Sequence, residues 1–132
     1  MPRLALILSL LTSLIILSAC GPEDPPLRRY HARGIVTEVS SSGAELSVAI
    51  HHERIAKFEG RDGKLSDMDS MTMLFGVASD VPRAVWSQGA KVDFEFDMRW
   101  NLRPSLWIVR AQNLPPDTEL TLPPASEHNE HH

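Results

Sequence analysis

Three of the five methionines of this 132-residue chain, Met68, Met71 and Met73, fall within six positions. On an extended strand, residues two apart project from one face. Met71 and Met73 would therefore present two thioether sulfurs on the same side, with Thr72 facing the other way. Thioethers are uncharged and polarisable, so a Met-x-Met pair selects Cu(I) or Ag(I) over Mg, Ca or Zn. A neutral imidazole would complete a three-coordinate site. Of the adjacent pair His51 and His52, parity favours His52, which is in phase with Val48 and Ile50. A plainer reading stands beside this one: in phase with Phe75 and Val77, the methionines are gap-filling core residues.

Positioning such residues requires strands, and the β signal runs from Tyr30 to about Leu114. It is clearest in Lys91-Val92-Asp93-Phe94-Glu95-Phe96-Asp97-Met98, where apolar and charged residues alternate and predict a strand with one wet face. Gly34 to Val39 and Leu46 to His52 are joined by the turn-rich Ser40 to Gly43 and predict a hairpin. Met71 to Val77 is a third candidate and Trp107 to Ala111 a fifth, with a helical turn between Val81 and Gln88. Five short strands in a segment of this length predict an all-β fold, a small five-stranded OB-type barrel.

The flanks differ in composition. Arg3 precedes an apolar run from Leu4 to Ile16 that is too short to span a membrane. The run closes in Leu17-Ser18-Ala19-Cys20, which resembles the lipobox of bacterial lipoproteins. That resemblance implies a signal peptide over 1–19, a lipidated Cys20 and a chain anchored on the periplasmic side of the cell envelope. Gly21 after the cysteine, in place of an inner-membrane retention Asp, leans towards the outer membrane. Residues 20–29 hold three prolines and read as a tether, and 30–114 as the barrel. Residues 115–132, with two Pro-Pro pairs and no periodicity, read as a disordered tail. His128, His131 and His132 in that tail are read as solvated rather than as a chelating site.

Lys and Arg number 13 against 17 Asp and Glu, a sign that argues against a nucleic-acid partner. The single cysteine excludes an internal disulfide and any multi-cysteine metal site. Asp62, Asp67 and Asp69 lack the spacing of a calcium loop. No nucleophile stands at a diagnostic spacing from a base, so the chain reads as a binding protein and a monomer rather than an enzyme.

Four stretches taken together resemble the CusF-like family of periplasmic copper-binding domains. They are Tyr30-His31-Ala32-Arg33-Gly34-Ile35-Val36; His52-Glu53-Arg54-Ile55; Met68-Asp69-Ser70-Met71-Thr72-Met73-Leu74-Phe75; and Gln88-Gly89-Ala90-Lys91-Val92-Asp93-Phe94-Glu95-Phe96. The third is the specific one, similar to the family's x-P-x-Met-Thr-Met-x-Phe with Asp69 in place of the proline. The resemblance implies Cu(I) or Ag(I) as cargo, His52, Met71 and Met73 as its ligands, and Met68 where family members place a tryptophan over the metal. Met68 is then either a third thioether donor or a lid. Fifteen residues separate His52 from Met68, more than the family has, and Phe58 to Lys64 reads as an inserted polar loop. The implied role is a metallochaperone for copper homeostasis, handing its ion to a membrane efflux complex or a cuproenzyme assembly factor. The competing reading is a metal-free OB-barrel that serves as an interaction module of an envelope complex.

Overall fold

The computed structural model describes residues 27–123, and the segment read as a signal peptide, Cys20 and the C-terminal histidines lie outside them. Seven strands form: β1 (Arg28–Ser42), β2 (Glu45–His52), β3 (Ile55–Glu59), β4 (Leu65–Met68), β5 (Met71–Val77), β6 (Lys91–Met98) and β7 (Leu106–Asn113). Five of them close a barrel in the order β1-β2-β5-β7-β6, and β3 and β4 form a separate two-stranded sheet. The expected helical turn is a short 3₁₀ segment, Arg83–Val85.

The long β1 makes closure possible by serving two partners. Its residues Gly34 to Ser42 pair antiparallel with β2, and Arg28 to Ile35 pair antiparallel with β6. A bulge between Val36 and Glu38 bends it from one partner towards the other. The β1–β2 turn is only Gly43-Ala44, with Gly43 at φ 61°, as the primed hairpin turns require. The strands therefore run further into the turn-rich link than its serines suggest. The ring is completed by a parallel contact between β5 and β7, Gly76 opposite Trp107 and Val77 opposite Ile108. A Cβ on Gly76 would lie 2.3 Å from Pro104 and 2.6 Å from the Trp107 ring, so only glycine admits this crossing.

The alternation read in β6 holds: Val92, Phe94, Phe96 and Met98 are buried. Phe75, Phe94 and Phe96 meet with centroids 5.2 to 5.9 Å apart at the centre of the core. Asp97 is buried as well, and its charge is met by the Arg29 guanidinium through two hydrogen bonds of 2.7 and 3.0 Å.

Three sequence expectations change. Residues 28 and 29, assigned to the tether, already belong to β1 and pair with Met98 and Asp97. The inserted loop is the tip of a hairpin: Gly60 and Lys64 close it, and β3 and β4 flank it. Phe58, read as part of the polar loop, is buried, stacking on Tyr30 at 4.7 Å and meeting Trp100 edge-on at 6.4 Å. The Tyr30 hydroxyl also accepts the Glu59 N–H at 3.0 Å. Finally, the segment after Leu114, expected to be disordered, is bonded to the barrel as far as Thr121.

Because Phe58 is the largest buried side chain with which the β3–β4 hairpin packs on the barrel, Phe58→Ala is expected to cost about 3 kcal/mol. Urea unfolding followed by tryptophan fluorescence measures it, and a loss under 1 kcal/mol would show that the hairpin is held otherwise.

Candidate metal centre

The antiparallel register of β2 and β5 sets His52 directly opposite Met71, and Ile50 opposite Met73. Cross-strand partners of this kind have Cβ atoms about 5 Å apart and share a face. His52, Met71 and Met73 are therefore neighbours on the inner face, at the end of the barrel where β5 has not yet reached β7. Burial falls along that face towards the opening: Phe75 is fully buried, Met73 half-buried and Met71 43% exposed.

His52 is the unusual member. It is fully buried (0% exposed), and its Nδ1 lies 2.6 Å from the Glu53 carbonyl oxygen. A carbonyl only accepts, so Nδ1 carries the proton and a neutral ring leaves its lone pair on Nε2. That Nε2 is buried and has no hydrogen-bond partner. A buried acceptor without a partner carries a desolvation cost, and such a group calls for an explanation. Among the described residues two other buried side-chain nitrogens are also unpartnered, Trp86 Nε1 and Arg99 Nε, but both are N–H donors and cannot ligate a cation. Burial is the main force that lowers the His52 pKa below 6.5, aided by His51 and opposed by the Glu53 carbonyl. The ring is thus held neutral, the form that binds a metal.

Several neighbours hold this end of β2. Ser70 Oγ donates to the His52 carbonyl at 2.7 Å and accepts from His51 Nε2 at 3.1 Å. It thereby pins the short β4–β5 connection, which leads into Met71, beside the end of β2. Met68 pairs with Ile55 at the foot of the hairpin and packs, partly buried, on the core. The fifteen-residue gap is thus spanned by a hairpin that leaves His52 and returns beside it. Gly34 faces His52 across the β1–β2 pair, and a Cβ there would lie 2.5 Å from the His51 carbonyl and 2.9 Å from the His52 Cα. Glu53 is clamped by Arg33 through 2.7 and 3.1 Å bonds, and the Thr121 N–H reaches the same carboxylate at 2.7 Å. Burial pushes the Glu53 pKa up, but the bonds from Arg33 and Thr121 together with the Arg33 charge outweigh it and the net shift is downward.

The structure therefore gathers His52, Met71 and Met73 by register, while Met68 ends β4 two residues before Ser70, opposite Ile55. Cys20 and the tail histidines lie outside the described residues. Sequence reasoning missed Ser70, Gly34, Arg33 and Thr121; of these only Gly34 carries a local signal, a glycine inside a strand pattern. Among the described residues no three His, Cys, Asp or Glu side chains assemble a metal-binding group, so the donor set on offer is thioether plus imidazole.

No family model matches the chain, and no curated protein matches it. Solved structures do. Apo-CusF from Escherichia coli aligns with TM-score 0.50 at 19% identity, over 70% of this chain and 95% of that one. CusF-Ag(I) from Escherichia coli aligns with TM-score 0.48 at 20% identity, over 70% and 96%. The chain has the CusF-like barrel fold. At this identity the likeness speaks for the fold, an OB-like barrel, and the site rests on the geometry described above.

Two outcomes follow from that geometry. In the metal-free protein the His52 ring is expected to titrate below pH 6.5, as read by NMR. The unfolded chain takes up its proton first, so stability from the neutral ring is complete above the unfolded value and is lost as pH falls through the folded one. A midpoint above 6.5 would contradict the burial account. Gly34→Ala is expected to force β1 away from His52 and lower the melting temperature by several degrees, on the order of 1–3 kcal/mol of overpacking. A variant that melts like the parent would show that the strand pair has slack.

Proposed function

We propose that this protein is a lipid-anchored envelope metallochaperone. It binds Cu(I), and Ag(I) in its place, through His52 Nε2 and the Met71 and Met73 sulfurs, with Met68 as a third thioether donor closing the site. The observation that carries the reading is the buried, unpartnered Nε2 of His52, fixed in its neutral tautomer and set opposite Met71. The exposure of Met71 supports it further, since a gap-filling core methionine belongs out of water. Soft donors and a neutral imidazole suit a monovalent d¹⁰ ion and hold it without a charged ligand.

The open edge at Met71 lets an acceptor protein's donor enter as one thioether leaves, so the ion can be passed on without being released into water. The acceptor is a membrane efflux complex or a cuproenzyme assembly factor, and Cys20 supplies the lipid anchor that keeps the carrier at the membrane.

An anaerobic Cu(I) titration of the chain from Gly21 onward, against a coloured Cu(I) chelator, tests the reading. One equivalent is expected to bind, and binding is expected to persist when the chain ends at Pro124. Paired Met71→Ile and Met73→Ile substitutions should abolish binding and leave the circular dichroism spectrum unchanged. X-ray absorption should count three sulfurs and one nitrogen, and two sulfurs after Met68→Leu. Binding that disappears with the tail, or a double variant that unfolds, would sink the proposal and favour a metal-free interaction module.

A further inference from the structure

The chain does not leave the barrel at the end of β7. The Leu114 N–H bonds the Lys91 carbonyl at 2.9 Å, and Lys91 Nζ then donates to the Pro116 and Thr118 carbonyls at 2.7 and 2.6 Å. The Thr118 N–H turns back to the Pro115 carbonyl at 3.0 Å. From there the segment reaches Glu53, whose carboxylate accepts the Thr121 N–H at 2.7 Å. It thus passes from β7, past the start of β6, to the residue that follows β2.

Glu53 is also the residue whose carbonyl takes the His52 Nδ1 proton. Its own N–H is bonded to the Arg33 carbonyl at 2.8 Å, and its carboxylate is held by Arg33. Every polar group of Glu53 is therefore engaged, with Thr121 supplying the last contact from the C-terminal segment. Partners that fix the far nitrogen of a ligating histidine set its tautomer and its orientation, and removing them weakens metal binding.

We propose that residues 115–121 form a strap that positions the His52 ligand. Docked on Lys91 at one end and on Glu53 at the other, it holds the carbonyl that keeps the proton on Nδ1 and leaves Nε2 as the free donor. This rests on the metal-binding reading above. Lys91, Arg33 and Thr121 are positioning residues in this account and touch no metal.

The test uses the full chain in three variants. Thr121→Pro deletes the strap's N–H to Glu53, Lys91→Met releases the other end of the strap, and Thr121→Ala keeps the N–H and serves as the control. Nitrogen-15 NMR of the metal-free protein reads the His52 tautomer, a quantity that a merely structural role would leave unmoved. Both Thr121→Pro and Lys91→Met are expected to shift the His52 ring nitrogens away from a single Nδ1-protonated form. Both should also raise the Cu(I) dissociation constant by about 10-fold, the lower end of the usual effect of such partners. Thr121→Ala should match the parent in both.

Unchanged nitrogen shifts and unchanged affinity in Lys91→Met overturn the proposal, even where Thr121→Pro does not fold. If the parent binds no Cu(I), the functional reading fails while the ring-nitrogen shifts still decide whether the strap positions His52.

Discussion

The candidate centre depends on one pairing, His52 opposite Met71 in the antiparallel β2–β5 ladder. Side chains alternate faces along a strand, so a slip of one residue would send His52 outward and bring His51 in. The register is held because that slip of β2 would move Val48 and Ile50 out of the core, and the matching slip of β5 would turn Phe75 away from Phe94 and Phe96. The apolar interior and the candidate ligand are thus locked to each other: the burial of Phe75 deep in the barrel decides which histidine lies at its mouth.

Around that pairing, the structure resolves a conflict between burial and coordination. An imidazole that is to bind a soft ion must be neutral and must keep one nitrogen free. Burial keeps the ring neutral, and the Glu53 carbonyl chooses which nitrogen is left. The residues that hold Glu53 and the β4–β5 connection, Arg33, Ser70 and Thr121, come from distant parts of the chain and are all polar. They lie where the apolar core ends, at the rim, and their hydrogen bonds add to the packing that buries the His52 ring.

The β3–β4 hairpin shows how a long connection can return to the strand it leaves. Its tip is a polar turn closed by Gly60 and Lys64, while Ile55 at its base and Phe58 near the tip are buried on the barrel. Loop closure cost grows only slowly with length, and pairing Ile55 with Met68 brings the chain back to where it departed. The path from His52 to Ser70 is long in sequence, yet Ser70 returns to bond the His52 carbonyl.

Much of this was legible in the chain alone, because it is encoded locally. The alternation in Lys91 to Met98, the parity of His52 with Ile50 and the Met-x-Met spacing each follow from the period of a strand, and together they determined the all-β class, the barrel strands and the candidate donors. Phe58 was misjudged because a single aromatic among charged residues has no period to reveal its face. The strap was missed for a related reason: Pro-rich sequence carries no hydrophobic pattern, and its partner Glu53 lies 68 residues from Thr121. Tertiary structure alone decided which polar groups meet, namely Ser70 with the end of β2, Gly34 against His52, and Arg33 and Thr121 on Glu53. Hydrogen-bond partners across a barrel are set by closure and register, which arise from the packing of the whole chain and leave no mark on the residues beside them in sequence.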